Sequence, residues 1–234
     1  MNGMLAIMRR ELRSYFLTPV AYVFIVIFLV LTSTFTFYLG GFYERSQADL
    51  AAFFNFHPWL YLFLIPALSM RLWAEERKSG SIELLMTLPV DLWQAVVGKF
   101  LAAWAFTGLA LVLTFPIWIT VNYLGDPDNG AVVAAYIGSL LMAGGFLAVG
   151  SCISATTKNQ VIAFILAVVA CFLLLLAGFP LVLDMFSAWA PQMLIDAIAS
   201  LSFLTHFTSI SNCLLYTSDA ADEGLGVDLG GRRI

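Results

Sequence analysis

The chain has 234 residues, of which 61% are hydrophobic and only 11% charged, with a formal net charge of −4 and a mean hydropathy of +0.92. Soluble domains run near ~45–50% apolar and ~25% charged, so this chain has too little polar surface to cover a soluble globule, and its bulk belongs in a bilayer. It has no basic block of the kind a nucleic-acid site needs, and Cys152, Cys171 and Cys213 show no CxxC or Cys/His ligand spacing that would announce a metal.

At the N-terminus, Leu5, Met8, Leu12, Tyr15 and Phe16 make one stripe at helical spacing, and Arg9, Arg10, Glu11, Arg13 and Ser14 fill the remaining faces. That pattern predicts an amphipathic helix lying in the membrane interface, ended by Pro19. The apolar run after it is too long for a cleaved signal peptide, and bulky residues stand where a small-x-small cleavage site would be. A helix needs ~20 apolar residues to cross ~30 Å of hydrocarbon. Five runs qualify: 20–39, 56–72, 100–124, 132–154 and 161–183. The expected fold class is therefore all-α, a polytopic helical membrane protein. Pro66 and Pro116 are expected to kink the second and third spans, and Pro180 to end the fifth.

Between the second and third spans lies a polar island, residues 70–90, holding Arg71, Glu75, Glu76, Arg77, Lys78 and Glu83. Ser81 is expected to cap a short helix with Glu83 in its first turn, and Pro89 to stop it. Asp91 and Gln94 have capping-box spacing, with Val90 and Ala95 at the staple positions, which starts a new helix running through Lys99 into the third span. Further on, Asp126, Pro127, Asp128, Asn129 and Gly130 predict a tight turn. Ala143, Gly144, Gly145, Ala148, Gly150 and Ser151 let helices approach closely, either inside one subunit or across a dimer seam. Residues 184–206 are too interrupted, by Pro191, Asp196 and Ser200, to cross, and read as short helices at the outer interface.

Lys and Arg set the orientation. One side holds Arg9, Arg10, Arg13, Arg71, Arg77, Lys78, Lys99 and Lys158, and the other holds Arg45 alone when residues after 212 are set aside. The asymmetry puts the N-terminus in the cytoplasm, and Glu44, Asp49, Asp126, Asp128, Asp184 and Asp196 outside. From Cys213 the hydropathy pattern collapses. Residues 213–218 are what TGT-CTC-TTA-TAC-ACA-TCT encodes, the end of a transposon used to prepare sequencing libraries, and residues 219–223 match a reading of the attached adapter. This predicts a native domain over residues 1–212 and sequencing-adapter read-through over 213–234.

The chain has no GxxxxGK[ST] phosphate loop, so no ATP-hydrolysing site and no cofactor site is expected. An intramembrane enzyme would draw on His57, His206, Ser151, Cys152, Asp184 and Asp196, but none of the five runs carries an ionisable group deep inside. His57 and His206 both fall near the outer face. Two histidines without a third ligand make a weak metal site, so no metal is assigned. An ion-coupled, ATP-independent transporter would also need intramembrane carboxylates.

The segment Glu75, Glu76, Arg77, Lys78, Ser79, Gly80, Ser81, Ile82, Glu83 through Pro89, followed by Gly98 and Lys99, resembles the type 2 ATP-binding-cassette permeases. Within that group the likeness is to gliding-motility-type and copper-maturation-type subunits. The family pattern of acidic residues, a glycine, Glu-x-Leu-x-x-x-Pro and a Gly-Lys pair falls on Glu75, Glu76, Gly80, Glu83, Leu85, Pro89, Gly98 and Lys99. The stretches 9–19 and 201–207 match as well. The resemblance implies a permease subunit of an exporter, with six spans per subunit of which the sixth is missing here. It implies a second permease copy or a related permease as partner, a separate ATPase subunit, and residence in a bacterial inner membrane. By the same resemblance, Glu75, Glu76, Arg77, Gly80, Glu83, Leu84, Leu85 and Leu88 would form the ATPase-coupling segment, and Arg9, Arg10, Arg13, Tyr15 and Phe16 the connecting helix. In that role the leucines would anchor in the partner and the charges would form its rim.

Overall fold

A computed structural model describes residues 2–41, 50–87, 91–125, 127–179, 182, 193, 200 and 202–208. Among the described residues the fold is helical throughout. The polytopic helical class is as expected, with four helices long and apolar enough to cross a membrane and a fifth, shorter apolar helix. The expectations for Arg45 and its acidic neighbours, Leu88 to Val90, Asp126, Pro180, Asp184 to Asp196 and residues 213–234 lie outside the described residues.

The amphipathic helix α1 spans Asn2–Leu17. Its buried stripe is rotated from the expected one: Leu5 is 41% exposed, whereas Ile7 is 7% exposed and belongs to the core. The cause is a single close contact. A Cβ on Gly98 would stand 3.0 Å from the Met4 carbonyl and 3.1 Å from Ile7 Cγ2, so the missing side chain there admits the Ile7 face of α1. After Thr18, whose hydroxyl donates to the Tyr15 carbonyl (2.9 Å), Pro19 occupies the first turn of α2 (Pro19–Thr34). Its missing N–H is no loss there. α2 continues as a π-helical turn over Phe35–Leu39, where Thr36 donates back to the Thr32 carbonyl.

The helix α3 (Ala51–Ser79) corrects the second predicted span. It is an unbroken α-helix through Pro58 and Pro66, and it runs well past residue 72. Each proline removes one backbone donor, a loss that packing helices and side chains can absorb inside a membrane protein. Gly80, at φ +74, then turns the chain into α4 (Ser81–Thr87). The third predicted span is two helices, α5 (Leu92–Val112) and α6 (Phe115–Leu124). The break falls where Pro116 cannot donate to the Val112 carbonyl, and within it the Thr114 hydroxyl (2.6 Å) and N–H (3.1 Å) both donate to the Leu111 carbonyl.

The helix α7 (Asn129–Thr156) is capped as the turn sequence suggests, with Asp128 accepting from the Gly130 and Ala131 N–H groups. Asn159 caps α8 (Gln160–Leu176) in the same way. α3 lies at the centre, against α2, α7 and α8, and α1 packs on α5. Buried aromatics on α2, α3, α5 and α7 (Phe28, Phe53, Tyr61, Phe106 and Phe146) fill the interior. Outward stripes on α2 (Val20, Val23, Ile27) and α8 (Ile162, Ile165, Val169) stay exposed, as lipid-facing surfaces do.

The small residues of α7 pack within the subunit. Gly150 faces Ser69 of α3, Gly144 faces the Trp104 indole of α5, and Gly145 faces Phe203. Ala148 and Cys152 turn outward. One turn after Gly150, buried Ser154 donates to the Met70 carbonyl (3.0 Å) and accepts from the Trp73 and Ala74 N–H groups. Nearer the other end, the Tyr61 and Ser139 hydroxyls meet at 2.8 Å.

Candidate functional site: a charged joint beneath the bundle

At one end of the bundle three helices meet through charge. Lys99 lies two turns into α5, with its side chain 3% exposed. An ammonium there needs a counter-ion, since desolvation without one is prohibitive. Glu76 of α3 supplies it at 2.7 Å and Glu11 of α1 adds a second carboxylate at 3.3 Å. The Leu72 carbonyl accepts a third hydrogen bond at 3.3 Å, and the Trp73 ring lies 5.4 Å from the ammonium. Lys99 thus satisfies all three of its donors. Arg10 closes the network from the solvent side, 2.8 Å from Glu11 and 3.9 Å from Glu76.

The joint borders a cleft of about 460 Å³, lined also by Ser14, Tyr15, Thr18, Arg71 and Glu75. Glu76 Oε2, buried at its edge, has no hydrogen-bond partner among the described residues. Tyr15 stacks on Phe106 at 5.3 Å, and Phe16 and Phe24 reach the same ring, so one aromatic of α5 anchors both α1 and the start of α2. Burial, reinforced by the Glu11 carboxylate, pushes the Tyr15 phenol well above its ordinary range.

The expected rim charges divide into two groups. Glu75, half-exposed, pairs among the described residues with Arg71 one turn earlier (3.0 Å), and Glu83 is exposed in the first turn of α4. Glu76 and Arg77 turn inward instead: Glu76 holds Lys99, and Arg77 donates to the Ala155 carbonyl at the end of α7. Gly80 forms the left-handed link from α3 to α4. The side chains of Leu84 and Leu85, and all of Leu88, lie outside the described residues. Arg9, Arg10 and Arg13 are exposed along α1, while Tyr15 and Phe16 face the core.

Two local expectations are corrected. Ser81 is the first residue of α4 and does not cap it; its hydroxyl meets that of Ser79 at 2.9 Å, because α3 itself runs to Ser79. Asp91 stands at the N-cap of α5, but its carboxylate accepts from the Gln94 amide (3.1 Å) and not from the backbone, so the capping box is replaced by a side-chain pair.

The rival constellations are not assembled. His57 is fully buried among Phe28, Phe53, Phe54 and Tyr61, and its Nδ1 meets the Phe53 carbonyl at 2.8 Å. It sits in the bundle core, where the phenylalanines around it close over the ring. His206 Nε2 is engaged by the Ser200 carbonyl at 2.7 Å. Ser151 donates to the Ala148 carbonyl of its own helix. Among the described residues no three His, Cys, Asp or Glu side chains are grouped as metal ligands.

Sequence reasoning missed the joint because its parts stand far apart in the chain. The signal was present in Lys99, a lone cation inside an apolar run that had to find a buried acid. The residues of the family pattern meet here: Gly98 admits α1, Lys99 binds it, and Glu11 and Glu76 receive the charge.

Comparison with known proteins agrees with this architecture. A family model described as ABC-2 family transporter protein matches residues 5–228. Heme exporter protein B of Rhodobacter capsulatus is 39% identical over 70 residues, which cover 30% of this chain and 32% of that protein. Heme exporter protein B of Paracoccus denitrificans is 36% identical over 80 residues, 34% of this chain and 37% of that protein. The matched stretch thus spans only about a third of each of these relatives. With the family match running nearly the length of a multi-pass helical bundle, the chain belongs to the ABC-2 transporter family, whose members are membrane components of transporters.

Proposed function

We propose that the chain is a permease subunit of an exporter, contributing half of a transmembrane pathway, and that a separate ATP-binding-cassette ATPase drives it by docking on residues 75–88. One observation carries the reading. α3 leaves the apolar zone as a continuous helix, is tied to α5 and α1 through Glu76, Lys99 and Glu11, and is tied to α7 through Arg77. It then ends at a left-handed glycine and a short helix. A force applied to α4 therefore reaches several helices as one body, which a motor working on a permease requires. In this reading Leu84, Leu85 and Leu88 anchor in the ATPase, Glu75 and Glu83 orient it, and Glu76 and Arg77 carry the load inward. The other half of the pathway is a second permease copy or a related permease. The membrane is the bacterial cytoplasmic membrane with the N-terminus inside, as the Lys and Arg asymmetry supports.

Among the described residues, the buried bundle interior offers aromatic and hydroxyl groups but no fully buried carboxylate. This suits an amphiphilic cargo better than a bare ion. Two partial relatives carry the name heme exporter, so heme is the first such cargo to test. For the ATPase interface, Leu85→Asp is expected to abolish co-purification of a co-expressed ATP-binding-cassette ATPase that the wild type retains, while leaving membrane insertion intact. Normal co-purification of the variant would remove the coupling role from this segment.

A further inference from the structure

Apart from Arg10, the outward face of α1 plays no part in the joint, and the charge of Arg9 and Arg13 is not neutralised there. Arg9 and Arg13 stand one turn apart, both exposed. With Arg10, Ser14 and Leu17 they line a shallow recess of about 390 Å³. Glu11, the one acid in α1, is turned to the opposite face, where Lys99 and Arg10 hold it. Among the described residues no carboxylate lies within ion-pair distance of Arg9 or Arg13.

The recess ends on the apolar Leu17, and α2, the first membrane span, begins two residues later. Leu17 is 77% exposed, and beyond the Pro19 turn Val20 and Val23 of α2 are each more than half exposed. Arg9, Arg13 and Leu17 follow a spacing of four residues along one helical stripe, so the stripe changes from cationic to apolar as it reaches the bilayer.

We infer that this recess binds an anionic phospholipid of the adjacent leaflet, with its phosphate between Arg9, Arg13 and the Ser14 hydroxyl and its acyl chains along Leu17, Val20 and Val23. The inference rests on α1 lying at the membrane surface and is independent of where an ATPase docks. Guanidinium groups pair with phosphate through charge-assisted, often bidentate hydrogen bonds. The exposed apolar side chains of Leu17, Val20 and Val23 favour a lipid over a soluble anion, because a free phosphate has nothing to place on them. A lipid held there would brace the outer side of a helix whose inner side is tied to Lys99.

The test is native mass spectrometry of the whole protein released from mixed micelles of phosphatidylcholine and phosphatidylglycerol. The wild type is expected to retain phosphatidylglycerol in preference to phosphatidylcholine, and to lose that preference as salt rises. Arg9→Gln/Arg13→Gln should weaken it about thirtyfold, given roughly 1 kcal/mol per basic residue near an anionic surface, while Arg9→Lys/Arg13→Lys keeps most of it. Thermal unfolding in phosphatidylcholine alone checks that the variants fold. If the glutamine variant does not fold, the wild-type salt series and the lysine variant decide the matter. Equal retention by wild type and the glutamine variant would overturn the inference. So would a wild-type preference that salt leaves unmoved, or displacement of phosphatidylglycerol by inorganic phosphate, which would make the recess a site for a soluble anion.

Discussion

Lys99 shows how one side chain fixes the relation between three helices. Its ammonium is buried, and both of its carboxylate partners come from other elements. Removing one member of a buried ionic group costs more than removing the group, because the remaining charges keep their desolvation penalty and lose their attraction. Lys99→Met leaves Glu11 and Glu76 close together with only Arg10 between them. We expect the single variant to lose about 3 kcal/mol of stability. Lys99→Met/Glu76→Leu should recover a good part of that loss, because the apolar pair fills the same space without a stranded charge. Denaturant unfolding in micelles reads both values; a double variant less stable than the single would mean that Glu76 does not face Lys99. Gly150 makes a separate point about contact distance. A Cβ there would stand 2.1 Å from Ser69 Oγ and 2.8 Å from Ser69 Cβ, so rotating the serine does not clear the space and α3 and α7 must part. Gly150→Ala is expected to cost about 1–3 kcal/mol, and Ser69→Gly in the same chain should restore much of it. A neutral Gly150→Ala variant would show that the two helices are not in this contact.

Among the elements, α3 bears most on function, and its last two turns could not be read from hydropathy. The apolar run stops near residue 72, so a span-counting argument ends the helix there. Yet Trp73 to Ser79 contains Ala74, two glutamates, Arg77 and Lys78, mostly strong helix formers in water, and Ser154 and Arg77 hold the extension against α7. The membrane-crossing runs and the amphipathic character of α1 were legible because each is a local pattern. The exact face of α1, the inward turn of Glu76 and Arg77, and the burial of His57 were not, because a partner distant in the chain decides each one. The split of the third span was half legible, as Pro116 marks the place but the turn that Thr114 makes onto the Leu111 carbonyl has no signature of its own in the sequence. The link from α3 to α4 depends on one backbone conformation. Gly80 has φ +74 and open space where a Cβ would go, so a substitution meets no clash and only the left-handed conformation opposes it. That opposition is about 1–2 kcal/mol for an ordinary residue and less for asparagine. We therefore expect Gly80→Val to leave membrane insertion and thermal stability nearly unchanged while lowering ATPase stimulation by the permease several-fold, and Gly80→Asn to retain most of it. Equal stimulation by the two variants would show that the geometry of this link does not matter to coupling.

At the scale of the whole molecule, geometry and charge point the same way. The Glu11, Lys99 and Glu76 joint gathers α1, the end of α3 and the start of α5 at one end of the bundle, and the Arg77 contact brings the end of α7 to that same end. The turn between α6 and α7 lies at the other end, since Leu92–Leu124 runs the length of a membrane. All the positive charges that set the orientation, apart from Arg45, belong to the first end. If the bundle sits in the membrane that way round, the two ends must differ in access from outside the cell. In a variant with Cys152, Cys171 and Cys213 replaced by serine, Gly125→Cys should react with a membrane-impermeant maleimide in intact cells; Gly125 is exposed and its backbone is extended, so a side chain fits there. Ser81→Cys and Lys158→Cys, in the two connections at the charged end, should react only after the membrane is opened. The reverse pattern would invert the orientation and detach the 75–88 segment from any cytoplasmic ATPase. Labelling of both ends from outside would mean that α5 and α6 do not together cross the membrane, and the lever argument for α3 would lose its fixed frame.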